Sequence, residues 1–230
     1  MTGINAGTGR GAIMDSFQDS LTPMPMSQAT AGSPLLSYPI GDRLYLNITD
    51  RCTLRCRFCP KHRDGPRVHG YDLSLGKPPA VADIVRAIGD PSHYREVVFC
   101  GFGEPTLRLR PLLEVAAFVK SGGGRVRVNT DGLANRVHKR NVLPQLAQCV
   151  DAVSVSMNAQ CEAVYNRHCD PAMPGSFDAM LDFLSLAPGY IPEVSASAID
   201  GLEGVDIDAC RALAEQRGAR FRRRVLDNVG

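Results

Sequence analysis

Three cysteines, Cys52, Cys56 and Cys59, stand close together in the run NITDRCTLRCRFCP. The spacing Cys-x3-Cys-x2-Cys puts three thiolates on one short loop. That is enough to wrap three irons of a cubane cluster and to leave the fourth iron without a ligand from the motif. An iron with open positions is where a small molecule binds and reacts. Zinc is the competing occupant, because Cys-x2-Cys pairs are common zinc ligands and His62 or His69 would supply a fourth donor. That reading makes the chain a zinc-stabilised binding module. The remaining cysteines, Cys100, Cys149, Cys161, Cys169 and Cys210, are dispersed. A chain of 230 residues does not need disulfide staples, and its start lacks the basic-then-apolar order of a secretory signal, so free or metal-bound thiols in the cytoplasm are expected.

Other groups recur at strand ends. Gly101-Phe102-Gly103-Glu104-Pro105 follows one apolar run and Asn129-Thr130-Asp131-Gly132 follows another, each a turn-forming sequence with an acid in it. In the last expected strand, Arg222 and Arg224 share one face and Arg223 takes the other. With Arg127 they are candidates for holding a carboxylate or phosphate bidentately. Cys161, His168 and Cys169 read either as a metal set or, more simply, as chance thiols in a loop. Cys100 reads as a small buried hydrophobe.

The elements that position these groups follow from patterning. Strands are expected over 43–49, 96–101, 125–130, 151–157, 193–199 and 221–225. Helices are expected around Val81 to Ile88, around Leu112 to Val119 with Pro111 in the first turn, over 141–149, after Ser176 as a cap, and after Asp206 as a cap. Alternation of strand and helix implies a parallel sheet with right-handed crossovers. Strands buried on both faces are continuously apolar, but here Leu44, Leu46 and Ile48 oppose Tyr45, Asn47 and Thr49, and Val153, Val155 and Met157 oppose Ser154, Ser156 and Asn158. One face is dry and the other polar, which fits a sheet curled around a cavity. The expectation is an α/β partial (β/α)6 barrel over 37–230, preceded by a flexible, Gly-, Ser- and Pro-rich extension over 1–36. The formal charge of +2 and 22% charged residues single out no polyanionic partner, and no apolar run is long enough to span a bilayer.

The cysteine spacing, with Phe58 just before the third cysteine and the motif just after the first strand, resembles the radical S-adenosylmethionine (SAM) superfamily. The resemblance implies a [4Fe–4S] cluster on Cys52, Cys56 and Cys59, with SAM on the fourth iron, and reductive cleavage of SAM to a 5′-deoxyadenosyl radical that takes hydrogen from a substrate. It places Phe58, Gly103, Glu104, Asn129, Asp131, Ser156 and Asn158 around SAM, and Ser197 to Gly201 near the adenine. Phe102 departs from the usual Gly-Gly-Glu, and Asp131 stands in the place of an Asn. The phrases YLNITDRCTLRCRFCPK, FCGFGEPTLR, VNTDGLAN and FRRRVLDNVG look like the TatD-associated subgroup. That implies an external one-electron reductant of flavodoxin or ferredoxin type and an association with a TatD-type nuclease. The substrate is left open among a small metabolite or nucleotide, a protein glycine in an activase, and a peptide or RNA, and the arginines lead to the expectation that it carries a phosphate or carboxylate.

Overall fold

The computed structural model describes residues 34–226 except 64 and 66. The extension expected over 1–36 therefore lies, up to residue 33, outside the described residues. In chain order the elements are β1 (Ser37–Ile40), β2 (Arg43–Asn47), α1 (Pro60–Arg63), β3 (Arg67–Val68), β4 (Tyr71–Asp72), α2 (Val81–Ile88), β5 (Glu96–Cys100) and α3 (Leu109–Ser121). They continue with β6 (Val126–Thr130), α4 (Ala134–Val137), α5 (Leu143–Leu146), β7 (Ala152–Ser156), α6 (Glu162–Cys169), α7 (Ser176–Leu186), β8 (Glu193–Asp200), α8 (Ile207–Glu215) and β9 (Arg220–Val225).

The main sheet runs β1-β2-β5-β6-β7-β8-β9. From β2 to β9 the six strands are parallel and in chain order, the partial (β/α)6 barrel expected from the alternation. Apolar side chains on the outer face, among them Leu46, Phe99, Val128, Val155 and Ala196, pack under Ile84 and Ile88 of α2, Leu112 and Val119 of α3, Met180 and Leu184 of α7, and Ala214 of α8. Burial of one stripe per helix gives the barrel its stability. On the inner face a second cluster of Tyr38, Tyr45, Val68, Leu73, Val98 and Phe102 fills one side. The other side is polar: Ser154 registers with Ser195, Ser156 with Ser197, and Ser197 with Arg222.

Several expectations are corrected. β1 pairs antiparallel with β2 through a turn at Gly41 (φ +59°), a strand hidden by Pro39, which is tolerated at a sheet edge. Ser176 is not a cap: Gly175 (φ +66°) precedes the helix, and the Ser176 hydroxyl donates to the Met173 carbonyl. Asp206 does cap α8, accepting from Asp208 N and Ala209 N. Only Leu143–Leu146 of the span 141–149 is helical, Asn141 accepting from Leu143 N where a longer helix would start. Cys161 to Cys169 is not a loop but α6, with exposed Cys161 before its first turn and buried Cys169 at its last.

At the amino-terminal ends of the strands, charges close the barrel. Glu96 bridges Arg43 (3.4 Å), Arg125 (3.3 Å) and Arg127 (3.0 Å), and Glu193 bridges Arg125 (2.8 Å) and Arg220 (3.8 Å). Among the described residues, no helix is long and apolar enough to cross a membrane.

Candidate functional site

The cysteines sit on the loop between β2 and α1, at the carboxyl ends of the strands, where open α/β sheets carry their sites. The loop is tied down from three sides. Arg108 donates to the Ile48 carbonyl (2.8 Å), Lys61 to that of Asp50 (2.6 Å), and Glu104 N to that of Arg51 (2.8 Å). The Gly103 backbone lies so close that a Cβ there would meet the Thr49 and Arg51 carbonyl oxygens at 2.5 Å. Gly101, at φ +101°, likewise lies against Asn47, with a hypothetical Cβ 2.6 Å from its side-chain oxygen. Finally, the end of α6 clamps the far strand of the loop: Arg55 N donates to Cys169 O (3.0 Å), Arg57 N to His168 O (2.9 Å) and Ala172 N to Thr53 O (3.0 Å).

All three cysteines line a cavity of about 590 Å³ at the mouth of the barrel, which also takes in Phe58, Gly103, Glu104, Asn129, Asp131, Ser156, Asn158, Arg222 and Arg224. Seven residues expected around SAM are thus brought to one cavity with the three thiols and two of the three arginines. Arg127 is not: it lies at the opposite end of the barrel against Glu96. Ile199, within the segment expected near the adenine, also lines the cavity, and Cys100 borders it, its sulfur 3.5 Å from Asn129 Nδ2. Residues that the sequence did not single out are Tyr38 and Tyr45 of the edge hairpin and Arg67 and Val68 of the β3–β4 ribbon, which walls one side. Their signal was the Tyr-rich alternation of β1 and β2, readable only once the hairpin is known.

The thiols answer to their surroundings. Cys52 is solvent-exposed yet ringed by the cavity walls, and its thiol is pushed up to about 12, by desolvation first and then by the charge of Asp131. A side-chain hydrogen bond to Cys169, in which the Cys56 thiol is the donor, and then burial raise Cys56, and burial raises Cys59. All three are protonated at neutral pH without a metal, so ligation displaces protons.

Glu104 and Asp131 form the acidic core of the site. Glu104 is buried, its Oε1 accepting from Thr106 N (3.0 Å), Thr106 Oγ1 (2.6 Å) and Thr130 Oγ1 (2.9 Å) and its Oε2 from Asp131 N (2.7 Å). Asp131 accepts from the Thr53 hydroxyl and from Leu133 N (2.9 Å). Burial, and then the neighbouring Asp131 charge, push Glu104 up to about 8, and burial raises Asp131 as well, so the pair retains a proton at neutral pH. Asn158, in a left-handed conformation (φ +60°), accepts from Arg224 (2.7 Å).

The donor set fits the groups that the motif implies. Three free thiols on one loop match a cubane with an open iron, a buried acid pair matches an ammonium group, and two buried polar atoms in the cavity wall, Asn129 Oδ1 and Arg224 Nε, lack a hydrogen-bond partner. Buried polar groups without partners are costly, and a polar ligand in the cavity would satisfy them.

Comparison with known proteins gives the family. The model of the radical SAM superfamily matches residues 46–216, most of the chain, and the chain belongs to that superfamily. It is therefore an enzyme of a family whose cofactors are a [4Fe–4S] cluster and SAM, and the zinc-module reading is set aside. The probable dual-specificity RNA methyltransferase RlmN of Synechococcus sp. (strain CC9311) is 28% identical over 156 residues, 63% of this chain and 43% of that protein. The tungsten-containing aldehyde ferredoxin oxidoreductase cofactor-modifying protein of Pyrococcus furiosus is 32% identical over 121 residues, 50% of this chain and 30% of that one. The chain spans less than half the length of either relative. Among solved structures, TYW1 with a lysine-pyruvate adduct aligns at TM-score 0.59 and 14% identity, covering 82% of this chain and 66% of that one. Streptococcus suis SuiB bound to precursor peptide SuiA aligns at 0.61 and 14%, covering 84% and 40%. At these identities the likeness is one of fold.

Proposed function

We propose that this enzyme holds its [4Fe–4S] cluster on Cys52, Cys56 and Cys59, cleaves SAM reductively, and directs hydrogen abstraction at an anionic substrate. When bound and reduced by a flavodoxin- or ferredoxin-type donor, the cluster supplies the electron that splits SAM into a 5′-deoxyadenosyl radical able to take a substrate hydrogen. The observation that carries the reading is the convergence of the three thiols, the Glu104–Asp131 acid pair and two inward arginines on one cavity. Glu104 and Asp131 meet the SAM ammonium, which replaces the shared proton as the neutralising charge. Phe58, Gly103, Asn129, Ser156 and Asn158 bound the rest of the SAM site. Arg222 and Arg224 project from adjacent inward positions of β9 and Arg67 lies in the same wall, guanidiniums whose planar donors suit a carboxylate or phosphate of the substrate.

A peptide or RNA as the anion-bearing substrate is a second reading. It is favoured by β1 and β9 standing at the edges of the sheet among the described residues, since Tyr38 and Ile40 from one and Arg224 and Val225 from the other border the cavity and leave a lateral mouth for a chain. Membership of the TatD-associated subgroup, association with a TatD-type nuclease, a cytoplasmic location and a barrel unit over 37–230 belong to the same proposal, supported by the sequence phrases around the motifs.

Anaerobic reconstitution with iron and sulfide, then reaction with SAM and dithionite, tests the cofactor assignment through 5′-deoxyadenosine. For the substrate class, Arg222→Ala and Arg224→Ala are expected to leave SAM cleavage measurable and to weaken competition by small dicarboxylates or phosphate esters. Equal competition in wild type and both variants would remove the anionic substrate.

A further inference from the structure

Cys169 lies outside the motif, yet the fold brings it to the cluster loop. The clamp at the end of α6 runs antiparallel to the loop through Thr53, Arg55 and Arg57, with an isolated bridge between Leu54 and Pro171, so its register straddles Cys56. Cys169 is fully buried there beside Cys56, and in the metal-free pair the Cys56 thiol is turned toward it as donor, which raises Cys56.

The donor directions along the contacts behind Cys169 follow from chemistry. An arginine side chain only donates, so the atom of Asn158 that faces Arg224 is its oxygen, at 2.7 Å. The Asn158 amide nitrogen therefore points the other way, donating to the Ser156 carbonyl (3.1 Å) and to Cys169 Sγ (3.7 Å). Cys169 Sγ accepts from Asn158 and retains its own hydrogen when the Cys56 proton leaves. Once Cys56 ligates iron it is a thiolate and only accepts, which fixes Cys169 as the donor. With the cluster loaded, Arg224, Asn158, Cys169 and Cys56 would form a chain of hydrogen bonds all donating toward the Cys56 sulfur, its first two links already in place and beginning at a guanidinium in the cavity wall. Aligned donors polarise one another.

We propose that Cys169 is a positioning residue for the cluster: its thiol donates to the Cys56 sulfur and raises the cluster's reduction potential, and Asn158 links that sulfur to Arg224 in the cavity. The proposal rests on the assignment of the cluster to the three motif cysteines. A hydrogen bond to a ligating sulfur favours the more negative, reduced state of the cluster, so losing the donor lowers the potential. An anion resting on Arg224 weakens the first donor of the chain, which ties the ease of reducing the cluster to occupancy of the cavity.

The test is a potentiometric titration of the reconstituted full-length enzyme, followed by electron paramagnetic resonance of the reduced cluster, for wild type, Cys169→Ala, Cys169→Ser and Arg224→Ala. Wild-type potential is expected to be the highest and that of Cys169→Ala the lowest. Cys169→Ser, which keeps a donor, and Arg224→Ala, which keeps the thiol but removes the start of the chain, should fall between them. Equal potentials for fully loaded wild type and Cys169→Ala would overturn the proposal. If Cys169→Ala does not retain iron, Arg224→Ala decides: a lowered potential supports the chain, an unchanged one overturns it. Failure of the wild type itself to assemble an iron–sulfide cluster would sink the underlying assignment, a result distinct from either.

Discussion

At Glu104 and Asp131 two carboxyl groups share one buried corner, and the pH dependence of stability follows from that. In the folded, cofactor-free protein the pair keeps a proton up to about pH 8, whereas the unfolded chain releases it at the ordinary carboxylate pKa. Over that window the native state binds more protons than the unfolded one, so stability is highest at the acid end and falls as pH rises. The slope is about 1.4 kcal/mol per pH unit for one proton. Denaturant midpoints between about pH 5 and about pH 8 should therefore decline, and Glu104→Gln should flatten the decline. On the proposed function, the same substitution removes the anion that would meet the SAM ammonium. A lost charge-assisted hydrogen bond corresponds to roughly 10- to 100-fold weaker SAM binding by equilibrium dialysis, with iron content unchanged. Much of this site was readable from sequence because Gly-Phe-Gly-Glu and Asn-Thr-Asp-Gly are local strings. Cys169 was not, because its meaning depends on which loop α6 touches and no short-range pattern reports that.

The loops and short helices decide whether the residues meet. Gly103 is the place where β5's exit packs onto the cluster loop, and a methyl group there collides with two backbone carbonyls rather than with a yielding side chain. Gly103→Ala should cost about 1–3 kcal/mol in thermal or denaturant unfolding and lower iron uptake on reconstitution. Gly76→Ala, with nothing within 4 Å of the added carbon, is the matched control and should behave as wild type in both measurements. The elements that escaped the sequence had physical reasons to do so. β1 carries a proline that only an edge strand tolerates. The helix α6, EAVYNRHC, buries just Tyr165, His168 and Cys169 on a mostly polar surface, so its apolar period is too thin to stand out. The strands were legible because their two faces differ in polarity, and that difference already implied a curled sheet.

For the molecule as a whole, chemistry and stability occupy opposite ends of the barrel. The carboxyl ends of the strands carry the cavity, while the amino-terminal ends carry five arginines around Glu96 and Glu193. In sequence these charges are tens of residues apart, so nothing there groups Arg127 with Glu96 rather than with the cavity arginines. Its inward direction was legible, but its height along the barrel was not. Glu96→Ala should leave Arg43, Arg125 and Arg127 uncompensated and destabilise the protein by roughly 1.5–3 kcal/mol, the cost tempered by partial solvent access of the arginines. A lowered melting temperature, with normal iron loading in the folded fraction, would separate this end from the catalytic one. The proposed chemistry requires Cys52, Cys56 and Cys59 to act as one cofactor site. Its most direct test is 5′-deoxyadenosine formed from SAM and dithionite under anaerobic conditions by reconstituted wild type and by Cys56→Ala. Product from the wild type and none from the variant is the predicted result; a cluster-loaded wild type that forms none, or a Cys56→Ala variant that forms as much, would contradict it.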